Sequence, residues 1–144
     1  MGTAAHAIAS LEYAIKVVDE LGRLPERLAV AAAPKITELQ KAQFDAGVDP
    51  YGQAWKALAR RTLAKGRRPP PLTDKRRLRN GTGTWPLVGH RLLHRVNAPY
   101  GIHHQYGAPR ANLPQRMILP TKGLPPAWRR ILDEQANLLA RRAA

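Results

Sequence analysis

With 144 residues, of which 44% are hydrophobic and 6% aromatic, the chain can bury one modest core built mainly of aliphatic side chains. The absence of cysteine excludes disulfides and thiolate metal sites, and no apolar run approaches the roughly 20 residues that span a bilayer. The net charge is +14, and residues 56–110 hold 13 Lys or Arg against one Asp. Such a block favours an anionic partner: nucleic acid, acidic protein or lipid headgroups. The N-terminus lacks signal-peptide features, so we expect a soluble protein without a membrane partner.

Two helices are predicted in the first third of the chain. Apolar residues at three- and four-residue steps indicate an amphipathic helix over about 4–21, with Gly22 as its C-terminal stop. A second helix is predicted over about 25–44. Pro34 lies inside this helix and should kink or split it, because proline removes a backbone hydrogen bond. The two helices form a predicted helical hairpin. The apolar side of the second helix comprises Leu28, Ala31, Ala32, Ile36, Leu39 and Phe44.

A turn, a basic loop and a long β-hairpin are predicted in the middle third. Residues 49–52 read Asp-Pro-Tyr-Gly, which suits a type I turn. Residues 66–71 contain three consecutive prolines, which predict an exposed, semi-extended loop. Glycines and rough alternation over 72–96 predict a β-hairpin that turns near 80–83. Odd- and even-numbered residues of its second arm should face opposite sides of the sheet.

The last third is predicted to end in a helix. Residues 97–99 interrupt the hairpin strand, and 100–106 form a short helical or irregular segment. A further strand is predicted over 113–119, between two prolines. Consecutive prolines at 125 and 126 begin a helix over about 127–140. The residues of this helix expected to face the body are Trp128, Ile131, Leu132, Gln135 and Leu138.

This order of elements indicates one small α+β domain. It comprises an N-terminal helical hairpin (1–46), a basic loop and β-rich body with a small antiparallel sheet (47–120), and a C-terminal helix (121–144). The long hairpin would leave strand edges exposed in a lone subunit, and a closed ring would give each edge a neighbour. We therefore expect copies of the chain to assemble through the hairpin and the N-terminal helices.

Four stretches of the chain resemble, in order, the motif series of a known family. They are residues 49–65 (with DPYGQAWKAL and TLAK), 72–79 (LTDKRRLR), 97–107 (NAPYGIHHQYG) and 113–119 (LPQRMIL). This series is similar to that of phage virion-morphogenesis proteins of the Mu-like tail-completion type. The chain has Lys75-Arg76 where the family usually has Thr-Gly, and Met117-Ile118 where Pro-Phe is common.

The resemblance implies a non-enzymatic component of the phage head–tail neck, which completes the tail end so that a head can join. It implies a ring of copies, a hexamer if the tail is six-fold, located in the virion and assembled in the host cytoplasm. The implied partners are tail-tube and head-completion or connector proteins, with packaged DNA in the lumen and no cofactor. The motif residues expected to hold the fold or an interface are Trp55, Leu58, Leu78, Tyr100, His103, Gln105, Gly107, Pro114 and Arg116.

The segment 60–79 is predicted to face an acidic surface or DNA. It holds nine cations and a single acid, Asp74, so self-repulsion favours an anionic neighbour. Arginine predominates, and its planar fork suits carboxylate or phosphate. The alternative is a solvated loop that salt screens. The nine cations are Arg60, Arg61, Lys65, Arg67, Arg68, Lys75, Arg76, Arg77 and Arg79.

The residues also bear on a metal site, on catalysis and on nucleic-acid binding. His90 and His94 have the four-residue spacing of a helical zinc site, but they lie in a predicted strand without nearby carboxylates, which disfavours a metal. No phosphate loop, nucleophile motif or paired carboxylates point to catalysis. A basic nucleic-acid-binding protein of ribosomal or nucleoid type remains the alternative, because Trp and Tyr residues are interleaved with the cations.

Overall fold

The computed structural model describes residues 22–86 and 91–143, so the helix predicted over 4–21, and with it half of the helical hairpin, lies outside the described residues. The described chain combines helices with one two-stranded antiparallel sheet, which confirms the α+β class. In chain order its elements are α1 (Leu24–Ala46), α2 (Arg60–Ala64), a 3-10 turn (Asp74–Arg76), α3 (Arg77–Gly81), β1 (Thr82–Pro86), β2 (Leu92–Val96), α4 (Gly101–Tyr106), a second 3-10 turn (Pro109–Ala111) and α5 (Pro126–Ala143).

Helix α1 is longer and more continuous than predicted. Pro25 stands in the first turn of the helix. The helix is capped at its C-terminus by Gly47, whose left-handed backbone (φ 70°) lets its N–H reach the carbonyls of Gln43 and Phe44. The predicted split of the helix at Pro34 is wrong, since the helix runs through this residue. Pro34 leaves the carbonyl of Val30 without its amide donor, but both residues are exposed, so water can supply the bond.

The β-hairpin reverses later than predicted. Residues near the expected turn at 80–83 instead end α3 and begin β1, and the chain reverses between Pro86 and Leu92. Two contacts hold this segment as a helical turn: the Thr82 hydroxyl donates to the carbonyl of Leu78 at 2.7 Å, and Leu78 is buried in a cluster with the distant Phe44. The hairpin is therefore shorter than the sequence suggested.

Strand β2 shows the predicted alternation. Thr82 pairs with Val96 and Pro86 with Leu92, which puts even-numbered side chains of β2 on the half-buried face. Leu93 and Arg95 are exposed on the other face. The two-residue period is confirmed for the described part of this strand.

The strand predicted over 113–119 is wrong. Only an isolated bridge joins Ala108 and Leu113, and residues 114–119 belong to neither a strand nor a helix. Side chains hold this segment instead: Gln40, Gln105 and Trp55 hydrogen-bond to its backbone. An apolar segment between two prolines therefore does not imply a strand.

Helix α5 begins at a proline, as predicted, and packs against α1. Trp128 is buried, and Ile131 and Leu132 pack partly buried against the same cluster. The expected inward residue Leu138 is exposed, and Leu139 is buried in its place. At about 100° per residue Leu139 returns to within about 20° of the face of Trp128, whereas Leu138 lies about 80° from it.

Two apolar clusters lie along α1. Its N-terminal half packs Ala32 and Ile36 against Trp128 of α5. Its C-terminal end places Phe44 in a cluster with Trp55, Leu78 and Ile118, in which the rings of Phe44 and Trp55 meet edge-on at 5.2 Å. No helix within 22–86 and 91–143 is both long and apolar enough to cross a membrane.

Candidate functional site: a basic groove

A groove of about 670 Å³ opens beside the second cluster. We call it the basic groove. Four segments line it: 56–62, 67–78, 100–104 and 112–116. These segments belong to the four stretches that carry the family resemblance and to the loop between the first two, so residues far apart in the sequence meet around one concave surface.

Much of the groove surface is apolar. Leu78 reaches it from the buried core, and the remaining apolar side chains come from the loops around it. The groove therefore offers hydrocarbon as well as charge, as binding sites for organic ligands usually do. The main apolar lining residues are Leu58, Pro71, Leu72, Leu78, Leu113 and Pro114.

Seven cations and one acid line the groove. The acid, Asp74, is held by an ion pair with Arg67. Arg116 lies in the wall and is only 5% exposed. The cations other than these two arginines are Lys56, Arg61, Arg68, Lys75 and Arg77, and all five are exposed. The groove thus carries a large positive excess that the described residues do not neutralise.

Arg116 braces one wall of the groove. Its Nε donates to the carbonyl of Lys56 at 2.7 Å and its Nη2 to that of Ala57 at 3.0 Å. Burial lowers the pKa of the guanidinium, and no carboxylate among the described residues pairs with it. Its Nη1 has no acceptor in the part of the chain described. Arg116 therefore joins two segments through carbonyls and keeps an uncompensated charge at the groove.

His104 adds a second polar group that lacks a partner. Its Nδ1 is buried without a hydrogen-bond partner in the described structure, and its ring meets Tyr100 edge-on at 6.2 Å. Its pKa is lowered, first by burial and then by the charges of Arg116 and His103. Sequence reasoning singled out His103, which is exposed outside the groove. The four-residue step from Tyr100 to His104 across a helical turn was the signal that would have selected the right histidine.

Backbone strain concentrates at the groove. Four non-glycine residues in the described ranges have positive φ, and three of them line it: Leu72 (63°), Lys75 (53°) and Asn112 (52°). Each such conformation costs about 1–3 kcal/mol, and such residues tend to lie at functional sites. The loops around the groove are thus held in place by their surroundings.

The predicted basic segment is divided by the structure. Arg61, Arg67, Arg68, Lys75 and Arg77 line the groove, as given above. Arg60, Lys65 and Arg76 are exposed outside it. Arg79 turns to α1, where its Nε and Nη2 bond the Asp45 carboxylate at 2.8 and 2.9 Å and lower the pKa of that acid. Lys56 completes the groove and lies outside the predicted segment.

The motif residues divide into braces and groove walls. Gln105 is a brace: its Oε1 accepts the N–H groups of Ile118 and Leu119 at 2.7 and 2.8 Å, and its Nε2 donates to the Leu119 carbonyl at 3.0 Å. Trp55 is buried and donates from Nε1 to the carbonyl of Met117 at 2.8 Å. The motif residues on the groove are Leu58, Leu78, Tyr100, Pro114 and Arg116.

The motif residue Gly107 has a positive φ. Its φ of 79° and ψ of 163° lie in a region that is essentially restricted to glycine. A Cβ there would come within 3.2 Å of the backbone nitrogen of Gln115 and 3.3 Å of the carbonyl oxygen of Leu113. Glycine is therefore required both by conformation and by space.

The histidine pair of the metal hypothesis is only half described, because His90 lies outside the described residues. His94 faces the core, with Nδ1 2.6 Å from the Thr84 hydroxyl and its ring edge-on to Trp128 at 4.6 Å. Burial lowers its pKa to about 4. Within residues 22–86 and 91–143, no three His, Asp or Glu side chains cluster as metal ligands. His94 is a packed core residue in this fold.

No protein-family model, curated protein or solved structure matches this chain. The residues and their geometry are thus the grounds on which a function is proposed.

Proposed function

We propose that this protein is a structural subunit of a phage head–tail neck, a tail-completion protein that acts as a ring of copies. One observation carries the proposal beyond the motif order. Three of the four stretches that resemble the family are joined by hydrogen bonds of Arg116, Gln105 and Trp55 at 2.7–3.0 Å. The remaining stretch, 72–79, packs against them through Leu78, which lies in one core cluster with Trp55 and Ile118. The resemblance therefore falls on residues that build the body together.

The free edge of β2 supports assembly into a ring. On the opposite edge of the sheet, the N–H and carbonyl of Thr84 both bond to the Thr37 hydroxyl of α1. Strand β2 has no second strand partner among the described residues. Its outer face also exposes Leu93, beside Trp85 on β1. Open edges of this kind pair readily with a neighbouring chain.

A pair of variants at one position tests the ring. Leu92 pairs with Pro86 in the same register as Thr84 with His94, so its N–H points to the outer edge of β2. Leu92→Pro removes that donor, whereas the control Leu92→Ala shortens the side chain and keeps it. We expect light scattering and electron microscopy to show rings for wild type and Leu92→Ala and smaller species for Leu92→Pro. Rings of unchanged size from Leu92→Pro would refute assembly through this edge.

The neck assignment itself is tested in the phage. Removal of the gene should give filled heads and separate, unjoined tails, and supply of the protein in trans should restore joined particles. Normal virions without the protein would contradict the proposal.

A nucleic-acid-binding protein is the second candidate, favoured by the cations around the groove. The aromatic residues weigh against it, since Trp55 is buried and Trp85 and Tyr106 lie outside the groove. Stacking on bases needs exposed rings along the binding path. Binding of free duplex that weakens steeply between about 50 and 200 mM salt would favour this candidate.

A further inference from the structure

We propose that the basic groove binds an extended acidic segment of a partner protein, with an apolar side chain in the groove and carboxylates on either side of it. The inference rests on the groove alone, so it holds or fails independently of the neck assignment. Charge, lining, size and an unpartnered polar cluster carry it.

The charge of the groove needs an anionic occupant. Seven cations face one acid, and Arg67 already pairs with that acid. The other six cations have no ion-pair partner within the described residues. Like charges gathered on one concave surface repel one another, and a bound polyanion relieves that repulsion.

The apolar lining selects a peptide from among the anions. Leu58, Leu72 and Leu113 offer hydrocarbon that phosphates would leave unmatched, whereas a leucine or phenylalanine side chain would cover it. The volume of about 670 Å³ lies within the roughly 300–1,000 Å³ of sites for small ligands. A groove of this size accommodates a few residues of extended peptide. A nucleic-acid duplex carries its phosphates on a convex surface and does not enter such a cleft.

Arg116 and His104 give the groove a prepared polar end. Arg116 is fixed by two backbone carbonyls, so little side-chain entropy remains to be lost when Nη1 meets a carboxylate. His104 lines the same groove, although its unpartnered Nδ1 is itself shielded from solvent. A hydrogen bond to a charged group contributes more than a neutral one, so the free Nη1 of Arg116 suits an acidic residue of the partner.

The loops of the groove are held in shape before a partner arrives. Thr73 Oγ1 donates to the Pro70 carbonyl at 2.6 Å, and positive-φ residues stand at 72, 75 and 112. Preorganisation of this kind reduces the cost of ordering on binding. A single-stranded nucleic acid would gain less, since Tyr100 alone among the described Trp and Tyr residues lines the groove.

The test uses two double variants with the same change in charge. Arg61→Gln/Arg77→Gln removes two groove cations, whereas Arg60→Gln/Arg76→Gln removes their immediate neighbours outside the groove. All four side chains are exposed, so we expect both proteins to fold. Arg68→Gln, also in the groove, is a further single variant, and thermal unfolding checks each fold.

The probe is a fluorescent peptide in which a Leu-Phe pair is flanked on both sides by Asp and Glu. Its controls have Asn and Gln in place of the acids, or two Ser in place of Leu-Phe. Anisotropy should show binding to wild type and to Arg60→Gln/Arg76→Gln within about two-fold of each other, and at least about ten-fold weaker binding to Arg61→Gln/Arg77→Gln. Arg68→Gln should weaken binding by a smaller factor. Both control peptides should bind more weakly than the probe.

Four outcomes would overturn the proposal. Equal weakening by both double variants would mean that net charge, and not the groove, attracts the peptide. Equal binding of the Ser control would mean that the apolar lining is unused. Tighter binding of single-stranded or duplex DNA of matched charge would make the groove a nucleic-acid site. Absence of peptide binding to wild type at low salt would remove the site altogether. Each of these outcomes would overturn the proposal whether or not the protein forms rings.

Discussion

Acid should destabilise this protein through His94. The ring is packed on the inner face of β2 against Trp128, its Nδ1 meets the Thr84 hydroxyl, and its Nε2 is buried without a partner in the described structure. Protonation would place a charge on a nitrogen that has nothing to accept its hydrogen bond. Burial accordingly lowers the pKa of His94 to about 4, against about 6.5 for a free histidine.

The protonation states of His94 in the folded and unfolded chain decide whether acid stabilises or destabilises the protein. Above about pH 6.5 the histidine is neutral in both the folded and the unfolded chain, so it does not affect the free energy of unfolding. Between about pH 6.5 and about pH 4 only the unfolded chain binds the proton, so stability falls as the pH falls. One pKa unit corresponds to about 1.4 kcal/mol, which gives an upper limit of about 3 kcal/mol. Because the ring keeps some contact with solvent, we expect about 2 kcal/mol.

Chemical unfolding followed by tryptophan fluorescence measures this loss at a series of pH values. His94→Gln should remove most of the slope between about pH 6.5 and about pH 4, and leave the smaller part that His104 contributes in the same direction. The exposed His103 provides the control, and His103→Gln should keep the wild-type slope. Since His103 acts on the slope only through its minor influence on His104, the decisive comparison is that of His94→Gln with wild type. If these two proteins give the same slope, His94 is not held neutral by the core and the reasoning fails.

Two further predictions concern the braces beside the groove. Gln105→Ala should lower the free energy of unfolding by about 3 kcal/mol, because it leaves the N–H groups of Ile118 and Leu119 without an acceptor. The control Gln115→Ala, at an exposed residue, should lower it by under about 1 kcal/mol. Equal losses of the two variants in urea unfolding would contradict the role of Gln105. Gly107→Ala should cost about 3 kcal/mol or more, since its Cβ would meet backbone at 3.2 Å in a glycine-only conformation. Gly123→Ala, also at positive φ (85°) but in open space, should cost only about 1–2 kcal/mol. If Gly107→Ala lowers the melting temperature no more than Gly123→Ala does, space around Gly107 is not limiting.

Periodicity and caps were sufficient for the long elements. The three- and four-residue steps of α1 and the prolines at the start of α5 set these helices within a few residues, and the two-residue period identified the inner face of β2. These signals are local, because each depends on neighbours within one or two turns of the chain. The turn at 49–52 was equally local, and its Gly52 N–H bonds to the Asp49 carbonyl at 3.0 Å.

Predictions from the local sequence pattern were wrong where contacts with distant residues determine the backbone conformation. Residues 113–119 look like a strand, yet several of their backbone hydrogen bonds go to side chains, those of Gln105 and Trp55 among them. Residues 77–81 look like strand too, but burial of Leu78 beside Phe44 fixes a helical turn. Pro34 predicted a break, and only its outward position on α1 explains why the helix continues.

By itself the sequence determined the α+β class, the basic excess and the residues that carry the family resemblance, since composition and short-range order are properties of the chain alone. Only the tertiary structure decided which cations act together. In the folded chain Arg79 pairs with Asp45 on α1. Lys56 and His104 line the groove together with Arg61 and Arg77. Adjacent arginines such as Arg60 and Arg61 differ in sequence by one position, but a helical turn points them about 100° apart. Whether a charge faces a groove or open solvent is therefore set by packing, which no composition records.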